Sequence, residues 1–125
     1  MYIIDTHILL WLLSEPEKLS PKAVQILQED DDLYISMASI WEIAIKQSNN
    51  KLDLPFSPEE LCRICYDRDI KIMQILPKHL NMLRRLPKIH NDPFDRLIIC
   101  QSLTENIQIL TKDEKIALYP VITVW

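Results

Sequence analysis

The sequence predicts an α/β fold: a single domain with a parallel central sheet flanked by helices. Two observations carry this expectation. Short apolar or β-branched runs recur at residues 2–4, 33–35, 70–75, 107–110 and 121–124, and longer helical patterns separate the first four. Strands that alternate with helices in this way pair in parallel and bury both sheet faces. The chain also has 125 residues, which suits one domain spanning 1–125 with one hydrophobic core. No Pro/Ser-rich or single-sign stretch is long enough to serve as a linker, and no internal repeat is present.

Each element has its own local reason. The first apolar strand ends at Asp5, and an apolar helix over 6–13 follows. Ser20-Pro21 reads as an N-cap with proline at the first helical position, where its missing N–H costs nothing. The acidic run 29–32 is a helix-to-strand turn. Ser36 follows the second strand and caps a helix running to about residue 46; Asn49, Asn50 and Leu54-Pro55 then mark the main loop. Ser57-Pro58-Glu59-Glu60 has the form of a capping box, and Asp92-Pro93-Phe94-Asp95 has the same form.

Composition removes several function classes. Glycine is absent, which excludes the dinucleotide fingerprint, the P-loop and the esterase nucleophile elbow, because each needs glycine for unusual dihedrals or close backbone approach. Residues 2–13 contain Asp5 and His7, lack a basic flank and lack a small-residue cleavage site, so they do not read as a signal peptide. Other uncharged runs fall short of the ~18 apolar residues of a membrane span, and a cytoplasmic location without membrane contact is expected. Three cysteines fit a reducing compartment, and Cys62 and Cys65 read as core thiols inside a helical pattern rather than as zinc ligands.

Charge is unevenly spread. Residues 1–60 carry 4 basic and 11 acidic side chains and residues 61–125 carry 10 and 7, so halves of -7 and +3 make up the net -4. Lys78, Arg84, Arg85, Lys88 and Arg96, with His79 and His90, form the most basic stretch, which is either a phosphate-facing surface or a solvated helix face.

Four carboxylates look out of place. Asp5 ends the first strand and Asp113 follows the fourth, so both reach the carboxyl edge of the sheet, where open α/β sheets bind ligands. Glu42 is the only charged residue in positions 33–45, and a buried acid needs a partner, a proton or a cation. Asp95 lies in the first turn of the helix starting at Pro93 and projects from that helix's N-terminus. Competing structural roles exist: a turn at Asp5 and Asp113, an ion pair of Glu42 with Lys46, an N-cap at Asp92, and a helix-dipole contact at Asp95. Taken together, four acids at one edge repel unless a divalent cation holds them. Hard oxygen ligands suit Mg²⁺ or Mn²⁺, and such a site supports metal-assisted in-line hydrolysis of a phosphodiester. His7 and His90 are candidates for orienting substrate or accepting a proton.

The same residues resemble the PIN domain, and more closely its bacterial VapC-like branch, the toxin half of many toxin-antitoxin pairs. The resemblance rests on Asp5-Thr6-His7 with Leu10-Trp11, Leu19-Ser20, the block from Ser39-Ile40-Trp41-Glu42 to Lys46, Lys51-Leu52 and Leu86-Pro87. It continues through His90-Asn91-Asp92-Pro93-Phe94-Asp95-Arg96, Thr111-Lys112-Asp113 and Tyr119-Pro120-Val121. It implies an acidic metal site of Asp5, Glu42, Asp95 and Asp113, with Asp92 as an extra acid. It also implies supporting hydroxyls at Thr6, Ser39 and Thr111, and an Arg96 that pairs with an acid or contacts phosphate. The implied activity is that of an endoribonuclease dependent on Mg²⁺ or Mn²⁺, homodimeric and inhibited by a cognate antitoxin that covers the acidic site. Asn50 stands where the family often has glycine, and Asn91 where a basic residue is common.

Two other functions compete with an RNA-cleaving toxin. One is a non-catalytic PIN-like module that dimerises and captures an antitoxin peptide; metal dependence separates it from the nuclease. The other is a receiver-like phosphoacceptor, which needs an aspartate at a middle strand end that Gln74 and Ile75 do not provide.

Overall fold

The computed structural model describes residues 1–125. Five strands, β1 (Tyr2–Ile4), β2 (Leu33–Ser36), β3 (Ile70–Met73), β4 (Gln108–Leu110) and β5 (Thr123–Val124), form one sheet in the order β3-β2-β1-β4-β5. Every neighbouring pair is parallel. Six helices join them: α1 (Thr6–Ser14), α2 (Pro21–Glu29), α3 (Met37–Ser48), α4 (Pro58–Asp67), α5 (Pro77–Arg85) and α6 (Pro93–Glu105). No helix is long and apolar enough to cross a membrane.

The strand order explains the layers. From β1 the chain steps outward to β2 and β3, then returns past β1 to lay β4 and β5 on the other side. Right-handed crossovers that reverse direction place their helices on opposite faces. Ile4, Ile35 and Leu110 accordingly pack with Ile8, Leu9, Ile40, Ile43 and Leu61 of α1, α3 and α4. Ile3 and Ile109, one residue earlier on their strands, point the other way and pack with Ile98, Ile99 and Tyr119. Both faces of central β1 are covered, so it reads as a continuous apolar run, whereas edge strand β3 exposes Lys71.

The helix-start signals act as expected at three places. Ser20 Oγ accepts from the Ala23 amide, Ser36 Oγ from the Ala38 amide, and Ser57 with Glu60 completes a reciprocal box. Asp92 caps α6 through Oδ1, which accepts from the Phe94 and Asp95 amides. The reciprocal half of that box is missing, because the Asp95 carboxylate turns toward His90 instead. Three of the strands are also shorter than expected: β3 ends at Met73, β4 starts at Gln108, and β5 keeps only Thr123 and Val124. The three cysteines are free thiols, with Cys65 and Cys100 buried and Cys62 partly so.

A chain without glycine must still turn. Three residues take left-handed backbone angles, Asn50 (φ 55), Asp69 (φ 58) and Asn106 (φ 55), and these are the residue types that tolerate that region best after glycine. Asn50 is therefore a direct replacement for glycine at a position whose dihedrals demand one. Asn106 closes α6, where the amides of Asn106 and Ile107 both reach the Ser102 carbonyl. Asn106→Gly is expected to leave stability unchanged or slightly higher, and Asn106→Val to lower it by ~1–2 kcal/mol in urea denaturation.

Candidate metal and phosphodiester site

The carboxyl ends of β1 and β4 meet at the point where the strand order reverses. A crevice opens there because the flanking connections leave in opposite directions. Asp5 lies at the end of β1, and Thr111 and Asp113 follow β4. The N-termini of α3 and α6 point to the same edge, since crossover helices run antiparallel to their strands, and they bring Glu42 and Asp95.

Asp5 occupies the N-cap position of α1 yet makes no side-chain cap bond. A capping aspartate contributes ~1 kcal/mol, which this residue forgoes. Its carboxylate is 3 % exposed and turns to Thr111, whose Oγ1 donates to Oδ2 at 2.8 Å. Thr111 Oγ1 in turn accepts from the Asp113 amide at 3.0 Å, so one hydroxyl fixes two acids relative to each other. Asp5 Oδ1 is buried without a partner. Burial raises the Asp5 carboxyl above the usual carboxylate range, and the Thr111 hydrogen bond opposes that rise; Asp113 and Glu42 add to it.

Glu42 is buried on α3, and its Oε2 lies 2.9 Å from Lys46 Nζ one turn on. The ion pair weighed from the sequence therefore forms, but it satisfies one oxygen only. Glu42 Oε1 is buried and unpartnered. One turn before Glu42, Ser39 Oγ accepts from Thr6 Oγ1 at 2.8 Å and ties the start of α1 to α3.

Asp95 is strongly perturbed as well. Burial, followed by the charges of Asp5, Asp92, Asp113 and Glu42, pushes its carboxyl up to about 8. Those four sources show how closely the acids crowd one edge. No group of three or more His, Cys, Asp or Glu side chains stands arranged to hold a metal ion as a ready-made set. The residues nonetheless fit a hard cation: two buried carboxylate oxygens lack partners, and burial, with negative neighbours adding to it, raises the carboxyls of Asp5 and Asp95. Asp113 also serves the backbone, since its Oδ1 accepts from the Lys115 amide in a local turn. Asp92 takes the structural role weighed for it, with Oδ1 occupied by two amides of α6.

The basic stretch resolves into several parts. Arg96 does not pair with an acid: Nη1 donates to the Pro87 carbonyl and the Tyr119 hydroxyl, and Nη2 to the Leu86 carbonyl. His79 is fully buried, with Nδ1 accepting from the Leu76 amide and Nε2 3.0 Å from Glu105. Lys78 is paired with Glu105 as well. Arg84, Arg85 and Lys88 stay exposed.

Two residues that sequence reasoning left without a role stand at the site. A cavity of about 670 Å³ is lined by Asp5 and Asp113 together with Trp11 and Trp125, whose rings meet edge to face at 5.9 Å. Lys112, Glu114 and Lys115 line it as well, with His7 and Ile8. A second cavity of about 410 Å³ shares His7 and Trp11 with the first and adds Lys46 and Lys51. Apolar spacing alone gave Trp11 no distinction from the core, and only the adjacency of β5 to β4 brings Trp125 beside it.

The Asp95 shift has a sign that can be tested without metal. Its carboxyl keeps a proton in the folded chain at pH values where the unfolded chain has lost it, so stability falls as pH rises from the usual carboxylate range through about 8. In chelator, Asp95→Asn is expected to raise Tm above that of the wild type, by a margin that grows from pH 4.5 to pH 8 and then levels off. A margin independent of pH would contradict this electrostatic account.

Comparison with known proteins places these residues in a family. The sequence profile of the PIN domain matches residues 2–121. Ribonuclease VapC22 of Mycobacterium tuberculosis is 26% identical over 128 residues, which cover 98% of this chain and 97% of that protein. The fold is similar to a chain in the crystal structure of VapBC2 from Rickettsia felis bound to a DNA fragment from their promoter, with a TM-score of 0.73, 17% identity and coverage of 98% and 96%. It is also similar to a chain in a toxin-antitoxin complex from Klebsiella pneumoniae, with a TM-score of 0.69, 17% identity and coverage of 100% and 97%. Because the profile matches along nearly the whole sequence, the chain belongs to the PIN domain family.

Proposed function

We propose that this chain is a metal-dependent endoribonuclease that acts as the toxin of a toxin-antitoxin pair. The observation that carries the reading is the convergence of Asp5, Glu42, Asp95 and Asp113 on one sheet edge, with buried carboxylate oxygens of Asp5 and Glu42 left unpartnered. These four would hold Mg²⁺ or Mn²⁺, and Asp92 adds charge from the cap of α6. A bound ion would supply positive charge next to the phosphodiester and would lower the pKa of a water for in-line attack.

The chain's own residues do the rest. Thr111 orients Asp5 and the Asp113 backbone, and the Thr6–Ser39 bond fixes the first turn of α1 against the helix that carries Glu42. Lys46 balances Glu42. Lys112 and Lys115 sit where an RNA backbone would approach the acids, and Trp11 with Trp125 offers an apolar wall to an unpaired base. The relative named a ribonuclease supports RNA as the substrate. The two toxin-antitoxin assemblies of similar fold support a cognate antitoxin as partner, and the family resemblance adds a homodimer.

The test is incubation of the purified chain with a mixed pool of structured RNAs in Mg²⁺, in Mn²⁺ and in chelator, beside Asp95→Asn. Cleavage is expected only with metal, lost in the variant and weakened by salt. Folded protein that cuts nothing under any metal yet binds its antitoxin would replace this reading with that of a binding module. Trp125→Ala is expected to raise KM by about tenfold, since base stacking is worth ~1–3 kcal/mol, with a smaller effect on kcat.

A further inference from the structure

Tyr119 follows the short 3-10 turn Ile116–Leu118 and is 3 % exposed. Four nitrogens surround its hydroxyl: the backbone amides of Ile89 at 3.2 Å and His90 at 3.1 Å, Arg96 Nη1 at 3.1 Å and His90 Nδ1 at 2.9 Å. Amide and guanidinium nitrogens only donate, and a phenolic oxygen already facing three donors has no capacity for a fourth. The hydroxyl's own hydrogen therefore has one destination among these partners, the lone pair of His90 Nδ1. That leaves the imidazole's hydrogen on Nε2, which lies 3.3 Å from Asp95 Oδ2.

We infer that Tyr119 is a positioning residue of the acidic site: its O–H selects the Nε2–H tautomer of His90, and His90 donates that hydrogen to Asp95. The arrangement explains why Asp95, at the third position of α6, does not reach back to cap its own helix. One carboxylate oxygen is committed to His90 and the other is left for the site. It also explains Arg96, whose guanidinium fastens the carbonyls of Leu86 and Pro87 beside the same hydroxyl, so that the loop carrying His90 is held at both ends. The segment after β4 thus orders two acids, Asp113 through Thr111 and Asp95 through Tyr119. The consequence for metal affinity rests on the reading of Asp95 as a ligand; the order of the hydrogen bonds does not.

The experiment is long-range ¹H–¹⁵N spectroscopy of the metal-free, ¹⁵N-histidine-labelled chain and of Tyr119→Phe, with His7 and His79 as internal references and the Asp95 carboxyl ¹³C shift followed in parallel. The wild type is expected to show an unprotonated Nδ1 and a protonated Nε2 at His90. In Tyr119→Phe both His90 nitrogens move to averaged shifts and the Asp95 carboxyl shift moves with them. Mn²⁺ affinity, measured by calorimetry, falls about tenfold in the variant, as for other groups that orient a ligand. A wild-type His90 protonated on Nδ1 overturns the inference even if the variant does not fold, and so does a variant with unchanged His90 shifts. A tautomer selected by Tyr119 in a chain that binds no Mn²⁺ supports the hydrogen-bond order and defeats the metal reading instead.

Discussion

Central strand β1 is paired in parallel on both sides, by β2 and by β4, and this pairing governs the rest of the molecule. Parallel strands send every carboxyl end to one edge and demand helices on both faces. Because β4 joins on the side opposite β2, the two sets of connections part at that edge and leave the crevice that Asp5 and Asp113 line. Ile3 and Ile4 serve the two cores on either face, and Asp5 is the next residue out. A register slip of one residue would turn the core inside out and remove Asp5 from the crevice together.

Electrostatic cost concentrates where that geometry sends the acids. Each carboxylate is compensated in part, Asp5 by Thr111, Glu42 by Lys46, Asp95 by His90, Asp113 by its own turn. The compensation stops short at two oxygens. Buried polar atoms are almost always paired in folded proteins, so unpaired ones gathered at a sheet edge mark a place shaped for something other than stability. Buried His79, with Glu105 and Lys78 nearer the surface, shows the contrast: there the histidine's two nitrogens both find partners and the glutamate is held below the usual carboxylate range by Lys78 and then His79.

Much of this was legible in the sequence for local reasons. Strand positions followed from apolar runs, helix starts from Ser20, Ser36, Ser57 and Asp92, and the acids from strand ends at Asp5 and Asp113, a helix start at Asp95 and the otherwise uncharged stretch around Glu42. What escaped depended on long-range contacts. Asp95 has the spacing of a capping box, but His90 competes for it across a loop whose shape is set by Tyr119, far away in the chain. Arg96 and His79 belong to a basic stretch by composition, but tertiary contacts tie Arg96 to the carbonyls of Leu86 and Pro87 and bury His79. Trp11 reads as core until β5 pairs with β4 and brings Trp125 to its side. The glycine missing before Lys51 is explained once φ at Asn50 is known, because asparagine accepts the same dihedrals.

Proline stands at the start of four helices, at Pro21, Pro58, Pro77 and Pro93, and glycine stands nowhere. The folded contacts alone do not capture what this does. Each proline ring holds its φ near the helical value before any helix exists, and every other residue carries a Cβ that narrows its range. The denatured ensemble is correspondingly small, so folding surrenders less conformational entropy than it would in a glycine-bearing chain of equal length. Part of the stability that tolerates crowded acids at the sheet edge thus resides in the disorder this chain never had.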